Sequence, residues 1–362
     1  MAGDPIIRDS SKLRKFQGCA VGCLTALLVV IASGIALYYW ASTPGPQMET
    51  DLILGADSLG LIHVEGLKED PGLRAMVGSL LIEIQELRTR KLQSEQVPWM
   101  LKVLTLWQGS VDPDDIDDSM RDLPRDLTVS LETVAGKQEP QLVAAVNLSR
   151  FPRVLRLMFS LSGFGGKGGH VGGNPVHQLN SSGNMLAFVD STVMWGQSLE
   201  VLRKVLNRDT SSPGTGINEV LDAYRSRDSQ WDIYGVILNR QGSLAWVLER
   251  WSRRGTAGSA IRAELESQLS DIEQIRLGID VVDEDSIKGE VSLQYASEKA
   301  AQSYLDSAER TELLPTRLQE SDSLDVQQRV SCRGKVILIN LEASNIQAAL
   351  IEKLDQAWTV SK

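Results

Sequence analysis

The chain of 362 residues has only three cysteines and three histidines, and what is missing removes whole classes of protein. Cys19 and Cys23 open a long apolar run, so Cys332 is the single thiol in the rest of the chain and no disulfide framework can form there. Three histidines leave little material for a zinc site or a nucleophilic triad. No His-Glu-x-x-His, Cys-x-x-Cys, Gly-x-Ser-x-Gly or Ser-x-x-Lys pattern occurs. Excess positive charge is absent too. The chain carries a formal −10, and the part after the apolar run is more acidic still because the N-terminal stub holds Arg8, Lys12, Arg14 and Lys15. Nucleic acid is therefore excluded as a main partner. The expectation is a non-enzyme with no cofactor, no metal and no catalytic residue.

What is present begins with the run Cys19 to Trp40, which holds no charged residue. At ~1.5 Å per helical residue it reaches roughly 33 Å, enough to cross a bilayer core. A cleaved signal usually carries only ~7 to 15 apolar residues, so the run reads as an anchor. It closes with Tyr38, Tyr39 and Trp40, aromatics suited to the lipid–water boundary, and breaks at Pro44-Gly45-Pro46. Cations precede the run and none follows until Lys68, which keeps the N-terminus cytoplasmic and exports the remainder. Gly18, Gly22 and Ala26, spaced by four, form a candidate packing stripe within the membrane. With a single exported cysteine, the reading is a bacterial inner-membrane protein with a periplasmic or extracytoplasmic domain.

The exported part repeats one grammar: an alternating strand, a tight turn, a second strand, a polar cap and an amphipathic helix. Ile275 to Val282 and Ile287 to Tyr295 flank Asp283-Glu284-Asp285-Ser286, with a helix from Ser297; Val326 to Cys332 and Lys335 to Leu341 flank Arg333-Gly334, with a helix from Ser344. Looser copies pair Leu127 to Val134 with Gln141 to Leu148, and Met185 to Val189 with Thr192 to Gly196; single strands are expected at Leu59 to Val64 and Trp231 to Leu238. The predicted fold is α+β: an antiparallel sheet with helices packed on it in repeated hairpin–helix (ββα) units. The predicted organisation is a stub at 1–17, an anchor at 18–40, a linker at 41–47, ectodomain halves at 48–207 and 217–362, and a linker at 208–216. The halves are comparable enough to suggest a duplication.

This architecture resembles bacterial membrane-anchored exported proteins of unknown function built from strand–helix modules. The residues that carry the likeness are the anchor and the opening Ala56-Asp-Ser-Leu-Gly-Leu-Ile-His-Val-Glu-Gly-Leu, followed by Asp70-Pro-Gly-Leu. The resemblance implies a fold and no active residues.

Three features of the sequence carry side chains capable of chemistry. His63 lies between Ile62 and Val64 in an expected strand and reads as structural. Lys167, His170 and His177 surround the glycine-rich Gly163 to Gly173, which reads as a surface loop because Gly168 stands where a phosphate loop needs Ser or Thr. Asp112, Asp114, Asp115, Asp117 and Asp118 match no calcium loop and suit a helix start. The segment Pro98 to Trp107 is apolar on nearly every side, so Trp99 and Trp107 are the candidate interface anchors. The leading expectation is an extracytoplasmic binding or scaffolding protein, a subunit of an envelope complex with a membrane or envelope protein partner. The alternatives are a carrier of lipid or another apolar ligand and an envelope hydrolase.

Overall fold

The computed structural model describes residues 45–55, 58–66, 70–79, 124–137, 139–148, 166–179, 183–208, 231–240, 243–252, 270–311 and 325–349, together with Ser33, Ala36, Tyr39, Thr43, Ile82, Arg153, Arg156, Leu157 and Ile217. Trp99, Trp107, Gly18, Gly22, Ala26 and the aspartates from Asp112 to Asp118 lie outside the described residues.

Twelve strands form one continuous antiparallel sheet. They are β1 (Gly60–Val64), β2 (Leu127–Glu132), β3 (Gln141–Asn147), β4 (Gly166–Val171), β5 (Asn174–Gln178), β6 (Met185–Val189), β7 (Thr192–Gly196), β8 (Ile233–Leu238), β9 (Ile272–Val281), β10 (Ser286–Tyr295), β11 (Asp325–Arg333) and β12 (Val336–Ser344). Their order is β11-β12-β10-β9-β8-β1-β2-β3-β7-β6-β5-β4. Among the described residues, helices accompany them, including α1 (Thr50–Gly55), α2 (Leu199–Leu206), α3 (Ser243–Ser252) and α4 (Glu298–Thr311). Residues 71–79 are also helical.

This overturns the expected helix-layered array of ββα units. The hairpins do not stay separate modules, because their outer strands pair with one another: β3 with β7, β10 with β12, and β1 with β8 at the centre. The strands at the unit boundaries satisfy their backbone groups across them, and among the described residues the helices cover only parts of the sheet. Among the described residues no helix is long and apolar enough to cross a membrane; most of Cys19 to Trp40 lies outside that set. The glycine-rich segment is also corrected. From Gly166 on it belongs to the edge hairpin β4–β5, in which Gly172 (φ 57°) and Gly173 (φ 82°) supply the two positive φ angles of a tight two-residue turn.

Residues paired across antiparallel strands share a face, so register locates the core. One face runs Ile62–Gly235–Leu277–Val291–Ile339 across five adjacent strands, and each member is apolar. Over β9, β10 and β12 this face packs on α4, with Leu293, Tyr295, Ala301, Ile337 and Ile339 buried. Leu73 and Met76 of the 71–79 helix cover its end against Val281 and Ile346. On the opposite face the apolar layer lies under α1 and α2, where Leu54, Leu61, Val143, Ala145, Met194, Val201 and Leu202 are buried.

The 71–79 helix starts by the usual rules. Pro71 occupies its first position and Asp70 accepts the Leu73 N–H at 2.8 Å. Its N-terminus brings Asp70 towards Asp232. Burial, aided by the carboxylates of Asp70 and Asp280, pushes Asp232 up to about 6, although Asp232 accepts the Val281 N–H at 2.7 Å. A raised carboxyl pKa means that the folded state holds the proton more tightly, so stability falls as pH rises from about 4 through 6. Asp232→Asn keeps an acceptor for Val281 and mimics the protonated form. It should raise stability above pH 7 by about 1 kcal/mol, after allowance for solvent screening, and leave stability near pH 4 unchanged. Urea titrations at both pH values check this; equal pH slopes for parent and variant would count against it.

Candidate functional site: a closed polar seam along β2

Leu-Thr-Val-Ser-Leu-Glu reads as a strand with its polar side outward. The structure turns that side inward: Thr128, Ser130 and Glu132, at alternate positions of β2, are all buried beneath α1. Burying a polar group without a partner costs ~1 to 3 kcal/mol, so a seam of this kind must supply its own partners.

It does so in three steps. At the centre, Thr128 Oγ1 lies 2.7 Å from His63 Nδ1 and 2.6 Å from Thr50 Oγ1, joining β1, β2 and α1. The His63 ring stacks at a tilt on Tyr234 of β8, with centroids 5.0 Å apart. At one end Asn147 on β3 donates to the Met48 carbonyl at 2.9 Å and accepts from Thr192 Oγ1 at 2.6 Å. At the other end Glu132, with its side chain fully buried, accepts from Ser130 Oγ at 3.1 Å, Lys204 Nζ at 3.0 Å and Arg208 Nη2 at 2.6 Å.

The Glu132 carboxylate is thus held between two cations delivered by α2 and the residues after it. Ser198 caps α2 by accepting the Val201 N–H at 3.3 Å, and its hydroxyl also donates to Gln141 Oε1 at 2.6 Å. That fixes the helix so that Lys204 and Arg208 arrive over β2. Arg208 reaches further: its Nη1 donates to the carbonyls of Ile53 (2.6 Å) and Leu54 (3.3 Å), capping the end of α1.

A histidine nitrogen at 2.7 Å from a threonine hydroxyl is nucleophile-and-base geometry. Here Thr128 is completely buried and its oxygen is shared with Thr50, so it presents no attacking face to a dissolved substrate. The seam's evident effect is mechanical. It staples the segment 46–55 to the sheet, and further bonds extend that work: Ser191 N–H to the Pro46 carbonyl (3.2 Å), Met48 N–H to Thr192 Oγ1 (3.3 Å) and Gln47 Nε2 to the Leu148 carbonyl (3.4 Å).

The residues singled out from sequence fall elsewhere. His170 is exposed on β4, and His177 sits half-buried on β5 beside Phe188, their rings 5.9 Å apart. Lys167 and His177 are cross-strand partners, whereas His170 pairs with Pro175. Burial holds His177 below the usual histidine range, with Arg156 and His170 adding to the effect, which disfavours a bound proton there. Cys332 lies half-buried on edge strand β11, its thiol 3.4 Å from the Gly334 carbonyl. Among the described residues no group of three or more His, Cys, Asp or Glu is placed to hold a metal ion. The seam residues Thr50, Thr128, Glu132, Asn147, Thr192, Lys204 and Arg208 were not singled out, and His63 was read only as structural. The one available signal was the three alternating polar residues in a strand otherwise flanked by apolar ones.

No protein-family model, no curated protein and no solved structure matches the chain.

Proposed function

We propose that the chain is a single-pass, membrane-anchored extracytoplasmic binding or scaffolding protein of a bacterial envelope, with its N-terminus in the cytoplasm and the sheet outside. The observation that carries the reading is the strap that follows the apolar run: residues 46–55 are fastened by backbone atoms to Asn147 of β3, Thr192 of β7, Ser191 and Arg208, and to β2 through the Thr50 hydroxyl, so whatever precedes them is joined directly to the sheet. A seam that uses its hydroxyls, its histidine and its buried carboxylate to hold the chain's entry supports a structural role over a chemical one. The His63–Thr128 pair is the observation that favours a hydrolase, and its complete burial weighs against it.

The test is topological. Protease added to protoplasts, or to cells with a permeabilised outer barrier, should degrade the sheet region and spare an N-terminal tag. A protected C-terminal region would reverse the orientation and defeat the proposal. For the choice between binding and hydrolysis, Thr128→Val in a folded protein should leave the cellular phenotype intact; loss of phenotype without loss of stability would favour the enzyme.

A further inference from the structure

We infer that the strand ends beside the strap, at Asp190, Arg125–Asp126 and Glu65–Gly66, form a surface seated against the lipid headgroups of the bilayer. The inference rests on the anchored reading above. It adds which part of the sheet meets the membrane and why.

The argument is one of chain length. Tyr39 is helical, and its carbonyl accepts both the Thr43 N–H at 3.0 Å and the Thr43 hydroxyl at 2.6 Å, so the hydrogen bonding of the helix that holds Tyr39 extends to Thr43. Pro46 is already bonded to Ser191 in the β6–β7 turn. Three Cα steps separate Thr43 from Pro46, a reach of at most about 11 Å. The first fastening therefore lies almost at the end of that helix. The described positions of the run, Ser33, Ala36 and Tyr39, are all exposed, with Tyr39 at 66%, so the sheet does not cover that stripe of the helix. If Tyr38, Tyr39 and Trp40 sit at headgroup level, the β6–β7 turn sits there too.

Register carries the surface sideways. β7, β3, β2 and β1 are adjacent, and β7 begins where β3 ends, β2 begins and β1 ends. At ~4.8 Å per strand, all four strand ends fall within roughly 15 Å of the strap. Glu65, Asp126 and Asp190 outnumber Arg125 there, so charge does not draw this end to anionic lipid. The short tether imposes the seating.

The experiment uses the full chain, with Cys19, Cys23 and Cys332 changed to Ser, reconstituted in phosphatidylcholine vesicles containing a headgroup-spin-labelled lipid. A fluorophore is placed at Asp190→Cys or, on the opposite end of the sheet, at Lys137→Cys. Quenching should be several-fold stronger at 190 than at 137 and insensitive to salt. A Gly-Ser insertion after Thr43 should erase the contrast, with circular dichroism confirming that both proteins are folded. Equal quenching at the two sites in a chain that resists carbonate extraction overturns the seating alone. A contrast that survives the insertion overturns the tether argument. A chain extracted by carbonate removes the anchor and this inference with it.

Discussion

Glu132→Ala should destabilise the protein by about 3 to 5 kcal/mol, the cost typical of breaking a buried ion pair from one side. The cause is less the lost attraction than what remains. Arg208, its side chain only 6% exposed, would keep a full positive charge beneath α1 with no carboxylate to meet it. Ser130 would lose its acceptor as well. Lys204 is more exposed, and without it Glu132 still accepts from Arg208 and Ser130, so Lys204→Ala should cost far less, roughly 1 kcal/mol. Replacing the pair together, Glu132→Leu with Arg208→Met, should recover much of the loss, because apolar groups of similar volume need no compensation. It should not recover all of it, since Arg208 also holds the Ile53 and Leu54 carbonyls. Urea unfolding of the four proteins decides the matter. If Glu132→Ala and Lys204→Ala cost the same, the triad is not the buried network described.

Individual strands were legible in the sequence because period-two alternation and turn residues are local signals. Met185–Val189 and Thr192–Gly196 fall where alternation places them, and the long pair Ile272–Val281 and Ser286–Tyr295 differs from expectation by a few end residues. Their assembly was not legible, because pairing between distant strands leaves no mark on local periodicity. Nothing in Gly60–Val64 announces that it meets Ile233–Leu238 near the centre of one sheet, where Ile62 pairs with Gly235 from far along the chain. Treating each hairpin and its helix as a module therefore gave the wrong architecture. The strand orders β1-β2-β3-β7-β6 and β8-β9-β10-β12-β11 do correspond, running outward from the β1–β8 junction, with β4–β5 added at one edge. The site was hidden for a different reason. Polar residues at alternate strand positions usually mark the wet face, and here α1 covers them. Glycine gave a misleading cue as well: Gly163 to Gly173 suggested a loop, yet Gly166–Val171 is strand β4, and Gly172 and Gly173 turn it into its partner β5.

The strap offers the second large effect, through Asn147→Ala. Asn147 is buried, and its amide does two jobs at once, donating to the Met48 carbonyl and accepting from Thr192. Alanine leaves the buried Thr192 and the half-buried Met48 with one bond fewer each, a loss of about 2 to 4 kcal/mol in all. The damage should be local before it is global, because Thr128, Thr50 and Arg208 hold the strap further along independently of Asn147. Hydrogen exchange should then quicken at the backbone N–H of Met48 and Ser191, while amides of β9 and β10 keep their protection. Asn147→Asp separates the two jobs. It retains an acceptor for Thr192 but loses the donor, and it places a second carboxylate near Asp126, whose Oδ2 lies 3.5 Å from the Asn147 amide nitrogen. Like charge and burial both raise a carboxyl pKa, so this variant should be weakest at neutral pH and should regain stability as pH falls and the pair takes up a proton. Uniform exchange across the whole sheet in Asn147→Ala, with no early opening at Met48, would mean that the strap is not a separable element and that the segment unfolds only with the domain.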